Sequence, residues 1–399
     1  MYNKTSARNS RSGSSWKRSR NNSRPAKRSF SGNSININRF ISKANPNAIQ
    51  KSFTPRYAFS DLEINEKLKQ AIIKRGFKNP TPIQDLSIPH ILAGRDVIGL
   101  ANTGTGKTAA FLIPLLNKIM ANRQEKALIV VPTRELAIQI QEEFVALARG
   151  LNIFSVVVVG GAEIRKQIIN LRSHHNVIIG TPGRIKDLLN RKVIDLSRFA
   201  NIVLDEADRM LDMGFVPDVR LFLSLIAPKR QVLLFSATFG SELEKLVKQF
   251  LINPERISVQ TREVSKQIDQ DIIRVTVKQE KIEVLHNLLI QTAFEKVLVF
   301  TRTKHGAEKL SKGLYARGFR SESIHGDKSH NKRQKALKMF KEDTINILVA
   351  TDVAARGLDI PNVSHVINFD VPATFEDYIH RIGRTGRADQ KGTALTFVN

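Results

Sequence analysis

A chain of 399 residues is long enough for two or three domains, each with its own core. It contains no cysteine, which excludes disulfides and thiolate zinc sites, and no apolar run approaches the ~18 residues that span a bilayer. The net charge of +26 points to polyanionic partners, and half of it falls in one segment, residues 1–58, with 13 Lys or Arg and no Asp or Glu.

That segment opens the chain. Ser, Asn and Arg dominate it, and its few apolar residues bury too little surface to offset chain entropy, so residues 1–58 are expected to be a disordered basic tail. Its charges suit a sequence-independent grip on a nucleic-acid backbone, with Tyr2, Trp16 and Phe30 available for base stacking; the plainer reading is a solubilising tail. The composition is also similar to that of an organellar transit peptide but lacks the helical apolar stripe, and no apolar stretch of a secretory signal follows the charges.

From Phe59 onward short apolar runs alternate with segments of helical period. Val97–Leu100, Ala127–Val131, Phe154–Val159, Val177–Ile179, Ile202–Leu204 and Val232–Phe235 read as buried strands of a parallel α/β sheet. The Asn253-Pro254 step closes this series, and the polar residues 261–267 read as a linker. A second series follows in Ile272–Val277, Val297–Phe300, Ile345–Val349, Val363–Asn368 and Ala394–Val398. The expected organisation is therefore two tandem parallel-sheet α/β domains, residues 59–260 and 268–399. A weak repeat supports duplication, since Ala127–Arg134 and Val297–Arg302 both leave a strand through Thr-Arg and enter a helix.

The chemistry-bearing motifs fall at the carboxyl ends of these strands, where open α/β sheets bind ligands. Ala101-Asn-Thr-Gly-Thr-Gly-Lys-Thr108 stands between strand and helix, the context of a phosphate loop. Gly104 and Gly106 let backbone N–H groups close on phosphate, Lys107 adds a point charge, and the Thr108 hydroxyl suits magnesium. Farther on, Asp205 and Glu206 follow an apolar strand. One carboxylate there suits magnesium, partly through water, and the other an attacking water, while Asp208 also reads as a helix-capping acid. The pair His174-His175 has no spaced partner and reads as solvated surface. Near the end, His380-Arg-Ile-Gly-Arg-Thr-Gly-Arg387 places arginines in the second domain, where they reach a nucleotide only if the domains close.

These motifs together resemble those of the DEAD-box ATP-dependent RNA helicases of superfamily 2, in a bacterial-type form. The resemblance covers roughly residues 59–398. It rests on Phe59, Gly76–Gln84, Ala101–Thr108, Pro132–Leu136, Gly160-Gly161, Thr181–Arg184, Asp205–Asp208, Ser236–Thr238, Val299–Arg302, Ala350–Asp359 and His380–Arg387. It implies two RecA-like domains and an RNA-dependent ATPase. It further implies that Gln84 bonds adenine while Phe59 stacks on it, that Thr103, Gly104, Thr105, Gly106, Lys107 and Thr108 surround the phosphates, and that Asp359 approaches the ribose. Lys107, Asp205, Glu206, Arg384 and Arg387 would carry catalysis, with magnesium on Thr108 and Asp205. Ser236, Thr238, Arg356 and His380 would couple the domains. Thr133, Arg134, Gly161, Thr181, Arg184, Arg333 and Thr351 would line the sugar–phosphate backbone of RNA.

Lys328 and His330 depart from the polar residues the family commonly has there, although Arg333 is retained. The last expected strand closes beside Asn399, which would place any specificity module at the N-terminus or in a partner. The implied activity is ATP hydrolysis on RNA-induced closure, with local separation of short duplexes or remodelling of RNA–protein complexes. Its setting would be the cytoplasm, and its partners ribosome-assembly or RNA-decay proteins. The rival readings are an ATP-locked RNA clamp and a translocating DNA helicase.

Overall fold

A computed structural model describes residues 36–43, 53–102, 104–259, 268–276, 280–355, 363–386 and 392–398. Thr103, Arg356, Asp359 and Arg387 lie outside these residues, as do the tail 1–35 and the expected linker 261–267.

Two parallel sheets organise the described chain. The first contains β1 (Val97–Ala101), β2 (Ala127–Val130), β3 (Ser155–Val158), β4 (Val177–Gly180), β5 (Asn201–Leu204), β6 (Gln231–Ser236) and β7 (Glu255–Val259), in the order β3-β4-β2-β5-β6-β1-β7. Its helices are α1 (Glu66–Lys74), α2 (Pro82–Leu92), α3 (Lys107–Ala121), α4 (Arg134–Ala148), α5 (Ile164–Arg172), α6 (Pro182–Asn190), α7 (Ala207–Asp212), α8 (Val216–Leu225) and α9 (Ser241–Phe250). β1, β2, β4, β5 and β6 are buried along their whole length, because helices cover both faces of a parallel sheet. Alternate residues divide between two core layers: Val97, Ala127 and Ile129 face one, Ile98, Leu128 and Val130 the other.

The second sheet contains β8 (Ile268–Arg274), β9 (Val297–Thr301), β10 (Ser321–Ile324), β11 (Ile347–Thr351), β12 (His365–Asn368) and β13 (Gly392–Val398), in the order β10-β11-β9-β12-β13-β8. Around it lie α10 (Lys281–Leu289), α11 (Lys304–Tyr315), α12 (His330–Lys341), α13 (Asp352–Ala355) and α14 (Phe375–Ile382). The same alternation places Val297 and Val299 in one core layer, Leu298 and Phe300 in the other.

Three features differ from the sequence expectation. Pro254 does not end the first series, because β7 follows it directly and pairs with β1; as an edge strand it is half-polar and escapes an apolar pattern. β10, Ser-Glu-Ser-Ile, was hidden for the same reason. The segments 36–43 and 53–58, expected in a disordered tail, are part of the folded unit that begins at Asn36.

Strand register brings the motifs to one edge. Leu100 lies beside Ser236, and Val130 lies between Leu204 and Gly180, so the chain leaves β1, β2, β4, β5 and β6 at one level. In the second sheet Thr301 lies beside Thr351, and Phe300 beside Asn368.

Candidate functional site

The phosphate loop connects β1 to α3. Gly104 and Gly106 have φ of 83° and 93°, a region closed to most side chains, and a Cβ on Gly106 would collide with the Gln84 amide. Lys107, in the first turn of α3, is buried and donates from Nζ to the Ala101 carbonyl at 3.0 Å. Facing it, Asp205 is 2 % exposed and accepts from the Glu206 amide at 3.0 Å. Burial pushes the Asp205 carboxyl up to about 6, against the pull of Lys107, and the neighbouring Glu206 and Asp208 add to the rise.

Glu206 is the N-cap of α7, with an unusual left-handed backbone (φ 53°), and its carboxylate accepts from Arg209 Nη1 at 2.6 Å. Arg209 Nη2 donates to the Val353 carbonyl on α13 at 3.3 Å, so one buried arginine joins this carboxylate to the second domain. Asp208 is not the cap. It stands in the first turn of α7, and its Oδ2 accepts from the Ala237 amide (3.0 Å), the Thr238 amide (2.8 Å) and the Thr238 hydroxyl (3.1 Å), while its own amide donates to Ser236 Oγ at 3.2 Å. Ser236 and Thr238 are thereby fixed to the acidic turn.

The adenine-side residues hold a surprise. Phe59 is 2 % exposed and lies in the first domain's core, so it offers no free ring face to a base; this corrects the expectation that it stacks on adenine. Its neighbour Phe77, 6.0 Å away between centroids, is the half-buried ring. Gln84 ties α2 to the phosphate loop: Oε1 accepts from the Thr81 amide at 2.9 Å and Nε2 donates to the Gly106 carbonyl at 3.0 Å. Thr81 Oγ1 reinforces the link by donating to the Thr105 carbonyl at 2.8 Å, and the Thr105 hydroxyl donates to the Asn102 carbonyl at 2.8 Å. Thr108 is half-buried one residue after Lys107.

In the second domain, Arg384 is buried just beyond α14 and lines a small cavity with Phe300, Asp352, Ala355, His380 and Arg381. Arg381, which sequence reasoning left without a role, forks onto Asp352 (Nε–Oδ1 2.6 Å, Nη2–Oδ2 2.8 Å) and reaches the Asp370 carbonyl at 2.6 Å. Its sequence signal was the buried stripe Tyr378, Arg381 and Ile382 on α14.

The remaining residues form a basic face. Thr133 caps α4 and Thr181 stands at the N-terminus of α6. The Arg134 guanidinium lies against Gly160 and Gly161, and a Cβ on Gly161 would strike it; with a φ of 72° at Gly161, this is both a turn and a close approach. Burial, then the charge of Arg333, holds Arg134 below its ordinary pKa, with Glu135 opposing and Arg184 adding to the fall. Arg184 Nη2 donates to the Ala162 carbonyl at 3.2 Å, leaving a buried Nη1 with no partner. Arg333, from the second domain, pairs with buried Glu135 of the first at 2.9 Å. Glu135 lies within the Pro132–Leu136 segment, and nothing in the local sequence marks its role, because its partner is nearly 200 residues away. Thr351 is buried at the end of β11. Lys328 turns to Glu322 (2.9 Å) and Glu308 (3.6 Å), which explains that departure as an ion network of the second domain.

Residues 81–246 match the DEAD/DEAH box helicase family, and residues 280–389 match the helicase conserved C-terminal domain. The ATP-dependent RNA helicase CshA of Limosilactobacillus reuteri is 45% identical over 342 residues, covering 85% of this chain and 69% of that protein. The DEAD-box ATP-dependent RNA helicase CshA of Bacillus cereus is 45% identical over 341 residues, covering 85% and 65%. The chain thus spans about two thirds of the length of these curated relatives. Among solved structures, Dbp5 of S. cerevisiae bound to RNA and ADP BeF3 superposes with a TM-score of 0.77 at 32% identity, over 86% of this chain and 89% of that one.

Proposed function

Since this chain belongs to the DEAD-box family of ATP-dependent RNA helicases, we propose that it hydrolyses ATP when RNA draws its two domains together, and so opens short RNA duplexes or remodels RNA–protein complexes. The observation that carries this reading is the pair of contacts across the domains, Arg209 to Val353 and Arg333 to Glu135, which make the phosphate loop's edge and the arginine-bearing edge parts of one site.

Lys107 would exchange the Ala101 carbonyl for phosphate, and Gln84 would turn an amide edge to adenine beside Phe77. The donors fit magnesium as it is usually bound, through one or two carboxylates plus nucleotide phosphates and water: buried Asp205 would be the carboxylate and Thr108, in the first turn of α3, the hydroxyl. When bound, the metal would neutralise charge on the β- and γ-phosphates. Glu206 is the residue to orient water, and Arg209, which also reaches the second domain, holds it in place. Arg384, with Arg387, would meet charge developing on the γ-phosphate. Arg134, Arg184 and Arg333 would grip successive phosphates of one RNA strand without reading bases. No helix among the described residues is long and apolar enough to cross a membrane; we place the activity in the cytoplasm, beside ribosome assembly or RNA decay.

The test is steady-state ATP hydrolysis with and without single-stranded RNA. Strong stimulation that Glu206→Gln cuts by about 100-fold or more is the expected result. Absent stimulation with RNA binding intact would instead favour an ATP-locked RNA clamp.

A further inference from the structure

The amino edge of the first sheet, opposite the phosphate loop and the acidic turn, holds a cavity of about 290 Å³. Residues that lead into three strands form its wall: Lys126 precedes β2, His174 and His175 precede β4, and Arg198 ends the short turn Leu196–Arg198 ahead of β5. Ala127 lies beside both Val177 and Asn201, so these three entrances stand at one level. Arg172, the last residue of α5, and Lys192, just beyond α6, complete the basic lining.

Six basic side chains thus line one hollow, and none of them forms an ion pair among the described residues. The nearby carboxylates have other partners. Asp195, the one acid on the lining, accepts from the Ser197 amide (3.0 Å) and hydroxyl (2.7 Å), and Glu125 accepts from the Asn201 side chain at 2.8 Å. Other cations close by are paired: Lys166 with Glu163, Lys186 with Asp218 and Arg191 with Asp187. The crowding of like charge has a cost. Burial holds half-buried Lys126 below its ordinary pKa, and Arg198 adds to the fall. Burial likewise lowers His175, with the Ser173 carbonyl opposing and Lys126, His174 and Arg198 reinforcing. Arg172 and Lys192 complement the carbonyl ends of α5 and α6, but Lys126 and Arg198 have no long helix to serve.

We propose that this hollow binds a small, multiply charged phosphate compound at a site separate from the ATP site. Such an anion would receive donors from α5, α6 and the entrances to β2, β4 and β5 at once, and would relieve the repulsion among them. The volume is at the lower end of the roughly 300–1,000 Å³ of small-molecule pockets, which suits a compact polyphosphate. A nucleic-acid strand is instead followed by a track of charges along a groove, and here the charges converge on one point. The site is independent of the helicase activity proposed above.

Isothermal titration of inorganic tripolyphosphate into the full-length protein carrying Lys107→Ala, which weakens the competing phosphate loop, tests the proposal. One site is expected whose affinity falls about tenfold or more when Lys126→Gln and Arg198→Gln are added. Lys67→Gln with Lys74→Gln, exposed lysines of α1 that remove the same charge elsewhere, should change it less than about twofold. The basic tail is present in every variant, so its own charge cancels in the comparison. Should the Lys126 and Arg198 changes lower the melting temperature, Arg172→Gln with Lys192→Gln, both exposed, carries the same expectation of weakened binding. Equal losses in the cavity and α1 variants would reduce the effect to net charge and overturn the site. Absence of binding in the Lys107→Ala chain would overturn it as well. So would unchanged tripolyphosphate binding with weakened binding of single-stranded RNA, which would make the hollow an RNA contact.

Discussion

Phe59 and Phe77 stand 6.0 Å apart between centroids, but only Phe77 keeps part of its ring uncovered. Truncating Phe59 removes a fully packed ring from a core that includes Leu62, Leu68 and Phe111, and such changes cost about 3–5 kcal/mol. Phe59→Ala is therefore expected to lower stability in urea by that amount while leaving the preference for ATP over GTP intact; altered preference with unchanged stability would restore Phe59 to the base-stacking role. The sequence displayed position without burial here: an aromatic ahead of the Gln84 segment looks the same whether it touches a ligand or supports the residue that does. Gly104, Gly106 and Lys107 were legible because a backbone closing on phosphate requires those residue types at that spacing. Arg209 was not, since its partners Glu206 and Val353 lie on different domains.

Among the elements, the buried parallel strands were readable as apolar runs, whereas β7 and β10 are edge strands that mix polar residues with apolar ones. α14 shows what patterning leaves out. Its stripe predicts a buried face, yet the residue at the centre of that face is Arg381, which is acceptable there only because Asp352, Asn368 and the Asp370 carbonyl receive its donors. Asp352→Ala strips the countercharge from a buried guanidinium and should cost about 3–5 kcal/mol. A loss below about 1 kcal/mol in chemical denaturation would mean the pair is not needed to hold α13 to α14. On α11, Glu308 is held down to about 2, first by the Ser323 hydroxyl and then, against the cost of burial, by His325, Lys312 and Lys328. A carboxyl with a depressed pKa contributes its full stability above its unfolded value of 4.5 and loses it as the pH falls through about 2. Because the group is partly exposed, Glu308→Gln should cost only about 1 kcal/mol at neutral pH. Melting curves of variant and parent should draw together as the pH falls from about 5 toward 2; a gap that stays constant would remove ionised Glu308 from the second domain's stability.

At the scale of the whole molecule, Arg333 has two partners in prospect. It is paired to Glu135, whose second oxygen is buried and unpartnered, so the ion pair links the domains and occupies a charge suited to phosphate. An incoming RNA phosphate must compete with Glu135, and binding draws a charge-assisted bond from one partner to the other. The two sides of the pair then have opposite effects on RNA affinity. Arg333→Ala deletes one phosphate contact and should reduce the steepness of log Kd against log salt by about 0.7, the increment for a single-stranded contact. Glu135→Gln removes the competitor and should tighten RNA binding, most clearly at low salt, where the freed guanidinium is least screened. Fluorescence anisotropy of a labelled single strand across a salt series measures both variants in one design. If Glu135→Gln weakens binding as Arg333→Ala does, the carboxylate orients Arg333 for RNA, and the interdomain pair prepares the RNA site instead of competing with it.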